Sequence, residues 1–226
     1  MIEVHHLENS RSIRIPWLLE ELGAPYTVVT YKRDPKTRAA PPELRNVHFT
    51  GKSPVIVDKS VDPPLVVAES GAIFEYLLDK YSKNNRLIPE RGSAAWRKYL
   101  FWMHASEGSF APPITMKVMF SEVPISVKEK FDKFASYALD PTIKTFANYI
   151  EAELLAPQEY ITGNAFTAAD IILYQTVVTA DIFVPGVIGP STRAWIKRLR
   201  ARPAFQAIKK LEFAGAWIRD VKNSKL

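Results

Sequence analysis

The sequence predicts two successive parts: an α/β half with element order βαβαββα, then an all-α half. Three observations carry the prediction. Every strand-like run lies before residue 70, a polar stretch broken by proline and glycine spans Ser82 to Ser93 (SKNNRLIPERGS), and from Ala94 helical periodicity continues almost to the end. We expect domains at residues 1–82 and 94–226, with 83–93 as the linker.

Residues 2–7 (IEVHHL) and 27–31 (TVVTY) have the β-branched and apolar content of short strands. Between them Ile13, Trp17, Leu18 and Leu22 recur at helical spacing until Gly23, a residue suited to a helix C-terminus. Strand, helix and strand in this order make a right-handed crossover with the two strands parallel. A charged loop and a short helix near Pro42 to Val47 lead to Val55-Ile56-Val57 and Leu65-Val66-Val67, joined as a hairpin through Asp62-Pro63-Pro64. Ile73, Tyr76, Leu77 and Tyr81 mark the last helix of this half. In the second half we expect a long helix from Ala94 to Phe120, kinked at Pro112-Pro113 because proline lacks the backbone donor. Further helices are expected over Ser126–Leu154, after the Thr167-Ala-Ala-Asp170 capping arrangement, and over Ser191–Ala201 and Pro203–Val221.

With 226 residues, 47% of them hydrophobic, the chain is long enough to bury a full core. No run approaches the roughly 18 apolar residues of a membrane span. Met1 leads into Ile2–Leu7 without a basic segment and a cleavable apolar one, so we read a soluble, unexported, cytoplasmic protein. The absence of cysteine excludes disulfides, thiolate metal sites and any reaction in which the protein supplies the attacking sulfur. His5 and His6 point to opposite faces of a strand, and His104 with Glu107 make at most half a metal site, so no metal is expected. Residues 1–82 hold 10 Lys/Arg against 11 Asp/Glu, a net −1, so the remaining 20 against 13 carry +7. Much of that excess (Arg193, Lys197, Arg198, Arg200, Arg202) lies on late helices with apolar Trp195, Ile196 and Leu199, the pattern of a solvated helix face. Basic residues interleaved with exposed aromatics are not evident, so no nucleic-acid partner is expected.

Three short stretches could carry chemistry. The turn Glu8-Asn9-Ser10-Arg11-Ser12 delivers small polar side chains to the N-terminus of the first helix, where backbone donors and the helix dipole favour an anion. A serine hydroxyl is no base near neutrality, but it can donate a hydrogen bond to a thiolate and lower a thiol pKa from about 8.5. Ser10 or Ser12 could equally be a plain helix cap. In Gly51-Lys52-Ser53-Pro54-Val55 a proline stands immediately before a strand. It is either an ordinary turn proline or a cis one, with the N–H and C=O of Ser53 left to pair with an extended peptide ligand. Glu69-Ser70 ends an apolar strand and starts a helix. Ser70 can cap it, Glu69 can receive an ammonium group and the helix N-terminus a carboxylate, which together suit the zwitterionic end of an amino acid.

With these residues in view, the chain resembles the cytosolic glutathione transferases over essentially its whole length. The matching pieces stand in family order: SRSIRIPWLLEELGAPY, GKSPVIVD, AESGAIFEYLLDKY, FTAADIILY, and Trp195 with RPAF. HHLENSRS together with HASEGSFAPPITMK is most similar to bacterial transferases and the fungal transferases related to them.

The resemblance implies the glutathione transferase fold, a thioredoxin-like domain followed by a helical one, with glutathione as co-substrate. It implies a homodimer in which the N-terminal half of one subunit meets the helical half of the other. In serine-type classes the activating hydroxyl stands four residues before a helix-one arginine; with Arg14 in that place Ser10 is the match, and Asn9 and Ser12 are the alternatives. Ser53 would hold the cysteinyl main chain beside a cis Pro54, and Glu69 with Ser70 the γ-glutamyl group. Lys52 or Arg38 would meet the glycyl carboxylate, since Pro42 stands where many classes carry a lysine. Without cysteine, the reductase and thiol-transferase chemistry of the omega and lambda kind is excluded. Pro16 is a departure from the family without a functional account. An acceptor site is expected between the halves, with Met103, Phe110 and Met116 as candidates, although a Met and Phe stripe also serves as core. The implied activity is conjugation of glutathione to an apolar electrophile. With an organic hydroperoxide as acceptor the same site would be a peroxidase, and without turnover a glutathione-binding module.

Overall fold

A computed structural model describes residues 1–155 and 157–211. The chain forms two compact units, one of Met1–Leu87 rejoined by the chain from Ala201, the other of Ile88–Arg200. No helix among the described residues is long and apolar enough to cross a membrane.

The first unit is built on a sheet of β1 (Ile2–Leu7), β2 (Tyr26–Tyr31), β3 (Val55–Asp58) and β4 (Leu65–Ala68), in the order β2-β1-β3-β4. The central β1 buries its two histidines along with Ile2, Val4 and Leu7. It runs parallel to β2, Leu7 facing Tyr31, and antiparallel to β3, His5 facing Val55. The expected hairpin pairs β3 with β4, Val55 facing Ala68. The crossover from β1 to β2 carries α1 (Arg14–Leu22), entered through a 3-10 turn at Arg11–Ile13. Gly23 closes α1 at φ 65°, and the N–H groups of Gly23 and Ala24 return to the carbonyls of Glu20 and Leu19. Next come α2 (Leu44–Val47) and α3 (Ser70–Tyr81). Burial by itself would raise the Asp58 carboxyl, but hydrogen bonds from Lys80, Ser60 and Tyr76 outweigh it and hold the group well below the usual carboxylate range. That cluster fastens β3 to α3.

The chain comes back to this unit with α10 (Pro203–Ile208), which packs on α1. Trp17 meets Phe205 edge-on at 4.9 Å. Arg202 grips the buried Glu21 through two bonds of 2.6 and 2.8 Å, and Glu21 also takes the Trp17 indole N–H at 3.2 Å. Helical periodicity does not announce this return, because the ion-pair partners lie 181 residues apart. Arg202→Ala leaves a buried carboxylate without its cation, and we expect the urea unfolding of the first unit to lose about 3 kcal/mol. An unchanged midpoint would show that α10 holds without the pair.

The second unit comprises α4 (Ala94–Ala105), α5 (Ala111–Met119), α6 (Ile125–Ala138), α7 (Asp140–Leu155), α8 (Ala168–Phe183) and α9 (Pro190–Arg200). The first ten residues of α8 are buried, and α4 and α5 pack on it. The single kinked helix expected over Ala94–Phe120 is three segments: α4, a π-helical turn at Ser106–Phe110, and α5. The irregular turn comes just before Pro112-Pro113, whose missing N–H groups leave the carbonyls four residues back without an α-helical partner. The helix expected over Ser126–Leu154 is likewise two, broken at Leu139. Pro141 is the reason, since it has no N–H for the carbonyl of Tyr137 and its ring crowds that turn. The Glu151 carboxylate on α7 caps α9, accepting from the N–H groups of Ser191 and Thr192, both at 2.9 Å. Of the helix expected over Pro203–Val221, α10 and a 3-10 turn at Lys209–Leu211 are seen, and the rest lies outside the described residues.

Candidate functional site

The sheet register gathers separate loops at one end. Because β1 and β3 are antiparallel, the residues after Leu7 meet those before Val55; because β3 and β4 are antiparallel, the residues after Ala68 join them. Parallel β2 leaves through the same end after Tyr31. The Glu8–Ser12 turn, the Lys52-Ser53-Pro54 segment and Glu69-Ser70 therefore share one edge of the first unit. α3 also begins there, so the positive end of its dipole faces that edge.

Ser10 caps the 3-10 turn. Its hydroxyl accepts from the Ser12 N–H at 3.2 Å, donates to the Leu7 carbonyl at 2.7 Å and lies 2.7 Å from Ser12 Oγ. Ser10 keeps part of its surface, whereas Ser12 has none. The Ser12 hydroxyl accepts the Leu7 N–H at 3.3 Å and lies 2.7 Å from His6 Nδ1. Burial pushes the His6 ring down to about 4, against a smaller opposing effect of the Glu8 charge, so the ring is neutral at physiological pH. Asn9 stands at φ 51°, a left-handed conformation that asparagine tolerates better than most residues.

Arg33 braces this turn from beyond β2. Its guanidinium donates to the carbonyls of Glu8, Asn9 and Arg38 at 3.1, 3.2 and 2.8 Å, and its own N–H meets the Glu8 carboxylate at 2.9 Å. Burial and the charges of Arg38 and Arg11 lower its pKa, against the opposing charge of Glu8.

The Ser53 hydroxyl is committed to β1, donating to the His5 carbonyl at 2.7 Å and accepting the Leu7 N–H at 3.1 Å. The Ser53–Pro54 bond is cis. Gly51 leads in at φ 60°, and a Cβ there would stand 2.7 Å from Arg45 Cγ. Lys52 is exposed. Glu69 is also exposed and sits at φ 72°, ψ 127°, a conformation that costs a non-glycine residue on the order of 1–3 kcal/mol. Ser70 is buried and opens α3.

The acceptor candidates belong to the second unit. Phe110 is fully buried and stacks on Phe146 at 5.2 Å, Met103 is buried, and Met116 is 38% exposed. Sequence reading passed over His6 and Arg33. His6 left a faint signal, a polar residue in an apolar strand six positions before Ser12; Arg33 left none, since it reaches the turn from across the crossover.

The family model described as "Glutathione S-transferase, N-terminal domain" matches residues 1–79. Among curated relatives, "Glutathione S-transferase 1" of Saccharomyces cerevisiae is 30% identical, over 92% of this chain and 94% of its own. Among solved structures, a glutathione S-transferase from Actinobacillus pleuropneumoniae is similar at a TM-score of 0.78 and 30% identity, over 93% of this chain and 92% of that one. A glutathione transferase family member from Pseudomonas fluorescens, solved with two glutathione bound, is similar at a TM-score of 0.74 and 25% identity, over 92% and 91%.

Proposed function

The chain belongs to the glutathione S-transferase family, and we propose that it is a serine-type member joining the sulfur of glutathione to an apolar electrophile. The observation that carries this reading is the convergence at one sheet end of Ser10, Ser53 and Glu69-Ser70, where α3 begins and beside the Arg33 guanidinium. Glutathione carries two carboxylates, an ammonium group and a thiol, and that end offers a partner for each. With its hydroxyl spent on β1, Ser53 presents main-chain groups to the cysteinyl residue, next to Pro54. Glu69 receives the ammonium group, and Ser70 at the start of α3 receives the γ-glutamyl carboxylate. Lys52 or Arg38 meets the glycyl carboxylate. The sulfur then lies by Ser10, whose hydroxyl donates to the thiolate.

The chemistry follows from that placement. The thiol gives its proton to solvent, and the sulfur pair forms a C–S bond with the electrophilic carbon. On an aryl halide the halide departs with the C–halogen pair. Met103, Phe110 and Met116 are the acceptor-side candidates, of which Met116 has the most surface to offer. We also propose a cytoplasmic homodimer; sizing chromatography at the single-chain mass of 25.6 kDa would contradict the dimer.

Glu69→Ala removes the partner of the ammonium group. The KM for glutathione is expected to rise about tenfold, the size of one charge-assisted hydrogen bond, with kcat nearly unchanged. An unaltered KM would overturn the placement of the γ-glutamyl end. The acceptor class is read by assaying an activated aryl halide beside an organic hydroperoxide. Turnover of the hydroperoxide alone makes the chain a peroxidase, and saturable glutathione binding with turnover of neither makes it a binding module.

A further inference from the structure

The Ser10 hydroxyl is the outer end of a hydrogen-bond chain that runs inward to His6. Ser10 Oγ and Ser12 Oγ are 2.7 Å apart, as are Ser12 Oγ and His6 Nδ1. The inner members are shut away from water, Ser12 entirely and His6 with 2% exposure. In such an interior successive hydrogen bonds polarise one another, and each hydroxyl has a single hydrogen to assign. Ser12 Oγ already accepts the Leu7 N–H at 3.3 Å, a donor it shares with Ser53 Oγ. When His6 carries its proton on Nδ1, it fills the second lone pair of Ser12, and the Ser12 hydrogen turns to Ser10. Ser10 Oγ then accepts from both the N–H and the O–H of Ser12, which fills its lone pairs and leaves its one hydrogen to donate, to the Leu7 carbonyl at 2.7 Å in this structure and to the thiolate when glutathione is in place. In the other tautomer the Ser12 hydrogen turns to His6, and Ser10 loses a donor.

We propose that His6 and Ser12 are positioning residues: His6, protonated on Nδ1, orients Ser12, and Ser12 fills the last lone pair of Ser10, so that Ser10 acts only as a donor toward the thiolate. This rests on the reading of Ser10 as the group that meets the sulfur. No proton passes along the chain; the thiol proton goes to solvent, and the chain stabilises the anion left behind. The charged groups around it are Glu8, which acts on His6 through space, and Arg33 and Arg11 at the turn. His6 stays neutral while the thiol titrates, so a shift in the pH profile reports the thiol.

The test is the ionisation of bound glutathione, followed by the ultraviolet absorbance of the thiolate against pH and by the pH profile of kcat/KM. Ser12→Ala and His6→Leu are each expected to raise the bound thiol pKa by about 0.5 to 1 unit. That lowers kcat/KM about 3- to 10-fold on the acid side and leaves it at the wild-type level above the pKa. Affinity for S-methylglutathione, which has no thiol, is expected to be unchanged. His6→Asn can place an amide N–H near the Nδ1 position and is expected to recover most of the shift. If Ser10→Ala raises the pKa while Ser12→Ala and His6→Leu leave it at the wild-type value, the role of His6 and Ser12 is overturned and Ser10 stands. If Ser10→Ala also leaves it unmoved, the reading of Ser10 falls and the positioning role with it. Should His6→Leu fail to fold, Ser12→Ala, which deletes one oxygen, decides the matter.

Discussion

Ser10→Ala is expected to lower kcat/KM for an activated aryl halide by about 100-fold, the usual loss when one donor to a reacting anion is removed. In the proposed reading the tripeptide is held elsewhere, by the Ser53 and Glu69-Ser70 segments, so glutathione affinity should stay within about twofold of wild type. The bound thiol pKa should move back towards about 8.5, its ordinary value, so the variant recovers part of its rate at high pH. Geometry favours Ser10 over Ser12, because Ser12 has no exposed surface whereas Ser10 keeps some. The substitution also removes the cap on the 3-10 turn, a cost of about 1 kcal/mol. For that reason affinity must be measured beside rate. A variant as active as wild type sinks the assignment, and a variant that has lost glutathione binding as well places Ser10 in the fold of the turn.

Asp170→Ala is expected to destabilise the second unit by about 4 kcal/mol, because it strands several buried donors at once. The carboxylate accepts the N–H of Ile161 at 3.0 Å, the N–H of Thr167 at 2.9 Å, the Thr167 hydroxyl at 3.2 Å and the Trp195 indole N–H at 2.9 Å. Ile161, Asp170 and Trp195 have no exposed surface, so water cannot take its place. The thermal midpoint should fall by about 10 °C. Asp170→Asn should rescue little, since its amide turns a donor towards groups that are themselves donors. A shift under about 3 °C in Asp170→Ala would show that α8 starts correctly without this network.

The regular elements were legible because their signals are local. β-Branched and apolar content marks β1 to β4, helical spacing ended by Gly23 marks α1, and Thr167 with Asp170 marks the start of α8. The stretches of the candidate site were legible singly for the same reason, each being a break in pattern: small polar residues ahead of a helix, a proline against a strand, an acid closing an apolar strand. Two helices expected to be single were not. Proline content pointed to a bend in the first, but whether the chain answers by kinking or by a π-helical turn depends on how α4 and α5 pack on α8. The reach of Arg33 to the turn and the return of α10 onto α1 were illegible, since the partners lie far along the chain and no local pattern registers them.

By itself the sequence determined that strands mixed with helices fill the first part and helices the second, and that no thiol comes from the protein. Periodicity, capping chemistry and the absence of cysteine need no neighbour to be read. The tertiary structure alone decided that the three polar stretches share one end of the sheet, through the order β2-β1-β3-β4, and which serine of the turn faces outward. Ser10 and Ser12 are equivalent as residue types. They part only when β1 brings the Leu7 N–H and His6 Nδ1 to Ser12, because the direction of a hydroxyl is set by the partners that fill its lone pairs.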